Sequence, residues 1–462
     1  MLALLLALGA GAWWLSSAPP PDAAPEAADT PELDIPFERY QLDNGLTVIL
    51  HRDDRLPLVA VSVWYDVGAL HEQTGRTGFA HLFEHMMFQG SPHVGMDKHF
   101  EILESVGASG VNGTTSFDRT NYFETVPSNA LELALWLESD RMGFLLDSLT
   151  AESMSNQISV VQNERRQSVE SQPYGLMSER ITQELYPAPH PYHGDVIGSM
   201  KDIGAATLED VRAFFKTYYT PANATLTLAG DLDIDATKAL VEKYFGPLEG
   251  SEKPKRPKVS GPKVPKSEVV IDFPEPAARL AKLSVVWAGP EAYSEDSAAL
   301  DLLAHVISGT RSSRLDTKVS FEDPLAQSVT AYFSENYAGG KVEIDIVLRP
   351  GRTVDEALSA VDAVLTDLDA HPPTAEELQR AKTSVETRFV MGLEKLGGFG
   401  GRAEQLQGYN YFFGDPGRFE WDLARYQDVT LEDLVRVKKK WLGSKRYVVK
   451  AVPAASPEGS HP

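Results

Sequence analysis

His81, Glu84 and His85 are the residues of this chain best suited to chemistry, because a helix sets all three on one side. Residues four apart stack one turn above the other. Two neutral imidazoles at 81 and 85 can then bind one Zn²⁺ at about 2.0–2.1 Å each. Glu84 follows His81 by three positions, near enough to take a proton from a water that the metal makes acidic. The blander reading is a solvated polar helix face or a chance spacing, since the chain has eleven histidines. The neighbours argue against it: Gly78-Phe79-Ala80 precedes the group and Met86-Met87-Phe88 follows. Ionisable groups set in apolar sequence are costly to bury unless something pairs or ligates them.

The elements that must position this group repeat along the chain. Ser251 to Glu268 is rich in Lys, Pro, Ser and Gly, with almost nothing to bury, and reads as a linker. Thr150-Ala151-Glu152 recurs at Thr374-Ala375-Glu376, an offset of 224, and Thr207-Leu208-Glu209-Asp210 recurs at Thr430-Leu431-Glu432-Asp433, an offset of 223. Each opens a helix in capping-box fashion. Two matches at nearly one offset, on either side of a central linker, point to a duplication. Leu46–Leu50 and Val59–Tyr65 read as neighbouring strands, and Val269–Phe273 and Ala281–Trp287 take the matching places in the second half. Long helical patterns follow in both, as in Ser128–Leu146 and Val354–Ala370.

The expected fold is α+β: two homologous halves, each an antiparallel-rich sheet covered on one face by helices. The expected divisions are a leader or anchor with its tether over 1–34, a zinc-binding half over 35–250, a linker over 251–268, a second half over 269–455 and a tail over 456–462. The duplicate serves as an internal control. His81 maps to His305, but Glu84 and His85 map to Ser308 and Gly309, so the second half lacks the ligand set and His305 reads as a structural histidine.

Composition limits the remaining possibilities. Hydrophobic content of 42% and charged content of 24% are those of an ordinary globular protein. A net charge of −23 argues against a nucleic-acid partner, which needs clustered Lys and Arg. The absence of cysteine excludes disulfides, thiolate zinc sites and a thiol nucleophile, so zinc must be held by His and carboxylate alone. Met1–Leu15 is a short apolar run before a Pro/Ala/Glu-rich stretch, with the length of a secretory segment and no basic residues ahead of it. The expectation is a periplasmic or exported protein, touching a membrane only where that segment stays uncleaved as an anchor.

His-x-x-Glu-His is the reverse of the better-known zinc-peptidase motif. A third ligand is expected, and Val160–Gln167 contains Asn163-Glu164-Arg165-Arg166. With these two motifs the chain resembles the M16 (pitrilysin/insulinase) family of zinc metallopeptidases, in the bacterial branch related to mitochondrial processing peptidase. The resemblance covers nearly all of Ile35 to Ala454 and includes Leu42–Leu46, Pro191–His193 and Gly198–Met200. It implies an M16/LuxS-type metallohydrolase fold, one Zn²⁺ per chain on His81, His85 and Glu164, and Glu84 as general base. Glu164 lies 79 residues beyond His85, where the family has its distal ligand; its counterpart in the second half is Arg388. His193 reads as structural, because the metal already has three protein donors.

Val111–Ser116 and Thr120–Tyr122 resemble the family's substrate-binding edge strand. Asn112, Gly113, Thr114 and Thr115 are therefore expected to bind an extended peptide through the backbone. The chain departs from the family after Ser313-Arg314-Leu315, where self-sufficient members carry an Arg and, seven residues on, a Tyr that stabilise the oxyanion. Those places hold Ser320 and Gln327, while Arg402 and Tyr409 have that mutual spacing far downstream. The expected activity is a zinc endopeptidase acting on peptides or unfolded polypeptides, as the catalytic subunit of a heterodimer whose second M16-like subunit supplies the Arg/Tyr pair. The rival expectation is a non-catalytic assembly or chaperone-like subunit.

Overall fold

The structure, a computed structural model, describes residues 35–454; the leader assigned to 1–34 and the tail assigned to 456–462 lie outside these residues. No helix among the described residues is long and apolar enough to cross a membrane. Six strands form the first sheet: β1 (Glu38–Gln41), β2 (Thr47–Arg52), β3 (Leu58–Tyr65), β4 (Ser109–Thr115), β5 (Thr120–Pro127) and β6 (Ala224–Gly230), in the order β1-β2-β6-β3-β5-β4. Five form the second: β7 (Val269–Glu275), β8 (Lys282–Gly289), β9 (Ala326–Ser334), β10 (Gly340–Leu348) and β11 (Tyr447–Pro453), in the order β7-β11-β8-β10-β9. The second order repeats the first without its edge strand β1. The pairing senses repeat too: β2 with β6 and β7 with β11 are parallel, and the ladders that follow are antiparallel. The fold is thus α+β in two like halves.

One expectation is corrected. Strands β2 and β3 do not neighbour each other, because β6 lies between them, and β11 likewise separates β7 from β8. The five-residue connection from Arg52 to Leu58 is long enough to step over one strand. Both gaps are filled by an apolar strand from the far end of the same half, buried along most of its length. Only a fully buried central position suits such a strand.

Five helices of the first half bear on the site: α1 (Phe79–Met86), α2 (Lys98–Ser105), α3 (Leu131–Ser148), α4 (Ala151–Arg165) and α5 (Gly175–Leu185). Val48, Leu50, Val61 and Val63 on the sheet pack with Leu82, Phe83 and Met86 of α1, Leu135 of α3 and Val161 of α4 in one core. The other face of this sheet is covered too, by the helix Arg402–Phe413 from the second half. Ala403 meets Ala60 and Ala229 there, and Gln407 Nε2 donates to the carbonyls of Ser62 (3.0 Å) and Thr225 (2.8 Å). The exchange is reciprocal: Met177, Ile181 and Leu185 of α5 pack with Val286, Tyr447 and Val449 of the second sheet. This explains why β3 and β8 are buried on both faces rather than alternately.

The linker is fastened to the body. Arg256 donates to both carboxylate oxygens of Asp66 at 3.1 and 2.9 Å, and its guanidinium lies 4.0 Å from the centroid of the Tyr411 ring. That cation–π contact joins the linker to the exchanged helix.

Candidate metal centre

Helix α1 begins abruptly at Gly78, whose φ of 85° lies in the left-handed region. A side chain there would stand 2.4 Å from the Ile197 carbonyl, so glycine lets the two backbones touch. Glu72 caps the helix from outside by accepting the Gly78 N–H at 3.0 Å and the Ala80 N–H at 2.8 Å. Burial pushes its carboxyl up to about 8, against these donors. Helix α4 starts with a capping box in which Thr150 accepts from Ser153 N–H. At its other end Arg165, nearly enclosed, donates to the Gly198 carbonyl and to Glu179, each at 2.7 Å. The residue after Glu164 thereby locks the helix end that presents it.

These two helices bring His81, His85 and Glu164 together. Their donor atoms lie within 4.8 Å of one another, the one such group of three or more among the described residues. His81 Nε2 stands 3.7 Å from Glu164 Oε1, and His85 Nε2 stands 3.1 Å from Glu164 Oε2. Two donors on a tetrahedral ion at about 2.0–2.1 Å are separated by about 3.3 Å, so these spacings suit zinc. His81 Nδ1 and Glu164 Oε2 are buried without a hydrogen-bond partner, a cost that a bound cation relieves at the carboxylate. The residues therefore fit the metal. Burial and the adjacent His85 hold the His81 imidazole down to about 4, so it is in the neutral, ligating form. The adjacent His85 imidazole holds Glu164 below the ordinary carboxylate range. Glu164 is 40% exposed and the two histidines less so, which leaves the site open on that side.

Glu84 points from α1 at strand β4. The Thr115 hydroxyl donates to Glu84 Oε2 at 2.7 Å, and a side chain at Gly113 would come 3.0 Å from Glu84 Cγ. Burial raises the Glu84 carboxyl, while the Thr115 hydroxyl and His85 pull it back. Strand β4 is the last in its sheet. Ser116 N–H bonds the Arg119 carbonyl to close the β4–β5 hairpin, and Thr114 pairs with Asn121. Alternation of antiparallel bonding then turns the backbone of Asn112 and Thr114 toward β5, and that of Gly113 and Thr115 to the open edge.

Of the four residues expected on the substrate strand, Gly113 and Thr115 thus meet Glu84. Thr114 faces the rear of the sheet, and Asn112 accepts its neighbour's N–H at 2.9 Å. His193 Nδ1 is 2.9 Å from the Tyr186 carbonyl and is not among the three grouped donors, and Arg388 pairs with Asp301 in the second half. Arg402 is taken up by Asp53 at 2.5 Å and His51 at 3.1 Å, and Tyr409 donates to Asp422 at 2.8 Å. Sequence reasoning passed over Glu72, Arg119 and Glu404. Arg119 adjoins the Thr120–Tyr122 segment and was open to notice; the other two carry no spacing signal.

Residues 47–190 match the family described as Insulinase (Peptidase family M16), and residues 205–385 match the Peptidase M16 inactive domain. The zinc protease PqqE of Helicobacter pylori is 27% identical over 414 residues, covering 87% of this chain and 90% of that protein. A crystal structure of a protease from Helicobacter pylori aligns with a TM-score of 0.83 at 25% identity, over 90% of this chain and 99% of that one. The periplasmic protease PqqL from Escherichia coli shares the fold, with a TM-score of 0.75 at 20% identity, over 92% of this chain and 49% of that one.

Proposed function

Because the chain belongs to the M16 family of metallopeptidases, we propose that it is a zinc-dependent endopeptidase in which His81, His85 and Glu164 hold one zinc and Glu84 is the general base. The observation that carries this reading is the meeting of three donors, a buried carboxyl and an unpaired strand edge at one place. Bound zinc supplies a Lewis acid that brings the pKa of water toward about 7. Glu84 takes the proton of the attacking water and returns it to the leaving amine. Thr115 holds Glu84 Oε2 in place for both transfers. A peptide, or an unfolded polypeptide, adds to the edge of β4 through the backbone of Gly113 and Thr115, with little regard for its side chains.

We read the chain as one subunit of a pair in the bacterial, processing-peptidase-like branch. Ser320 and Gln327 offer no cationic donor for the oxyanion, and Arg402 and Tyr409 are engaged elsewhere. PqqL is about twice the length of this chain, which supports a second M16-like subunit; in our reading that subunit brings the Arg/Tyr pair this chain lacks. PqqL is a periplasmic protease, which supports an exported location for this chain. Full activity from the purified chain as a monomer or homodimer would contradict the pairing.

The match of residues 205–385 to a domain described as inactive favours a second reading, a non-catalytic assembly subunit. The four intact positions at 81, 84, 85 and 164 favour catalysis. The two readings separate in a peptide-hydrolysis assay of the reconstituted pair. E84Q is expected to keep its zinc and lose about 10²–10⁴-fold in turnover, with the wild type stopped by a chelator. Hydrolysis undiminished in E84Q would remove Glu84 as the base, and no chelator-sensitive hydrolysis would favour the assembly subunit.

A further inference from the structure

The rear face of the first sheet, opposite α1, carries a closed polar network within the contact made by the exchanged helix. Glu404 of that helix accepts from Ser62 Oγ at 2.6 Å, from Trp64 Nε1 at 3.0 Å and from Asn121 Nδ2 at 2.8 Å. Asn121 Oδ1 in turn accepts from the Thr114 hydroxyl and from Arg119 Nη1. Arg119 Nη1 also donates to the Thr114 carbonyl at 3.1 Å, and its guanidinium lies 5.0 Å from the Trp64 ring. Burial works against the Arg119 cation, and the charge of Glu404, followed by those of Glu84 and Asp118, works for it. On the same helix, the Tyr411 hydroxyl donates to the Asp118 carbonyl at 3.1 Å, in the turn that closes the hairpin.

Strand β4 needs such a hold. Its ladder to β5 runs on one side only, and the register slips between Ser109 and Asn112. Fixing Thr114 from behind fixes Gly113 and Thr115, whose side of the strand meets Glu84, because neighbouring residues face opposite ways.

We propose that Glu404 is a positioning residue: through Asn121 and Arg119, the half of the chain without metal ligands sets where residues 113–115 stand against Glu84. The proposal rests on the reading of Glu84 and β4 given above. It gives the exchanged helix a task in the reaction as well as in packing.

The test uses the full-length, zinc-loaded chain with its partner subunit, comparing the wild type with E404Q. Amide hydrogen exchange is read at Asn112 and Thr114, alongside zinc content and kcat/KM on a reporter peptide. E404Q is expected to hold as much zinc as the wild type. Its Asn112 and Thr114 amides should exchange at least about tenfold faster, and kcat/KM should fall roughly 10- to 100-fold. A lower melting temperature with unchanged exchange in β4 and unchanged kcat/KM would overturn the proposal, leaving Glu404 a packing residue. Where E404Q does not fold, T114V removes the hydroxyl that links β4 to the network. The same pattern is expected of it, and unaltered exchange and kcat/KM overturn the proposal equally. Should the wild type hydrolyse nothing, the peptidase reading fails, and the exchange comparison at equal zinc content still decides the role of Glu404.

Discussion

Thr115 is the residue on which the account of the base turns, because its hydroxyl is the side-chain donor that holds the Glu84 carboxylate from β4. T115V keeps the β-branched shape and removes that donor. A hydrogen bond to a charged group is worth ~1.5–3 kcal/mol, so turnover should fall roughly 10- to 100-fold at unchanged zinc content. Unchanged turnover would show that Glu84 is held by packing alone. At this scale the sequence was most legible where residues act over short spacings. His81, Glu84 and His85 share one helix, and Glu164 was found through a second short motif. Arg119 and Glu404 were not found, because Glu404 meets Asn121 across 283 positions and no local pattern joins them. Gly113 and Thr115 were singled out with Asn112 and Thr114, but which pair faces Glu84 depends on the ladder's bonding phase, which composition does not reveal.

The helices and most strands were legible from capping boxes and apolar periodicity. Helix Val354–Ala370 has the ends expected of it, and Thr150 and Thr374 cap their helices as the repeat implied. Strand order was not legible, since β6 and β11 enter their sheets from far along the chain. Nor was the segment Ser313–Leu315 understood from its motif alone. Arg314 forms a two-pronged contact with Glu377, Nε to Oε1 and Nη2 to Oε2 at 2.8 Å each. It thus ties the segment to the first turn of the helix Ala375–Glu394. These bonds hold the Glu377 carboxyl at about 2, against an ordinary 4.5. A depressed carboxyl contributes stability that is complete above about 4.5 and is lost as pH falls toward 2. The stability gap between wild type and E377Q, read from urea unfolding, should therefore narrow as pH drops from about 5 to about 2. A gap constant over that range would mean the pair adds nothing through its charge.

The molecule as a whole is two like halves that each complete the other's sheet, with the linker fastened through Arg256. A protease site inserted after Glu252 and then cleaved should leave both halves together on size exclusion, because α5 and the helix Arg402–Phe413 remain exchanged; separation would contradict the interlock. The duplication was visible in the offsets of 223 and 224, whereas the exchange was not, because each half's pattern reads the same whichever sheet its helix covers. The duplication also makes a claim about metal. The first half carries His81, His85 and Glu164, and the second carries His305, Gly309 and Arg388 in their places. The most direct test is zinc content per chain, measured by atomic emission on the purified wild type, E84Q and H85A. About one zinc is expected in the wild type and in E84Q, and almost none in H85A. A wild type without zinc, with two zincs, or an H85A that keeps its zinc would contradict it.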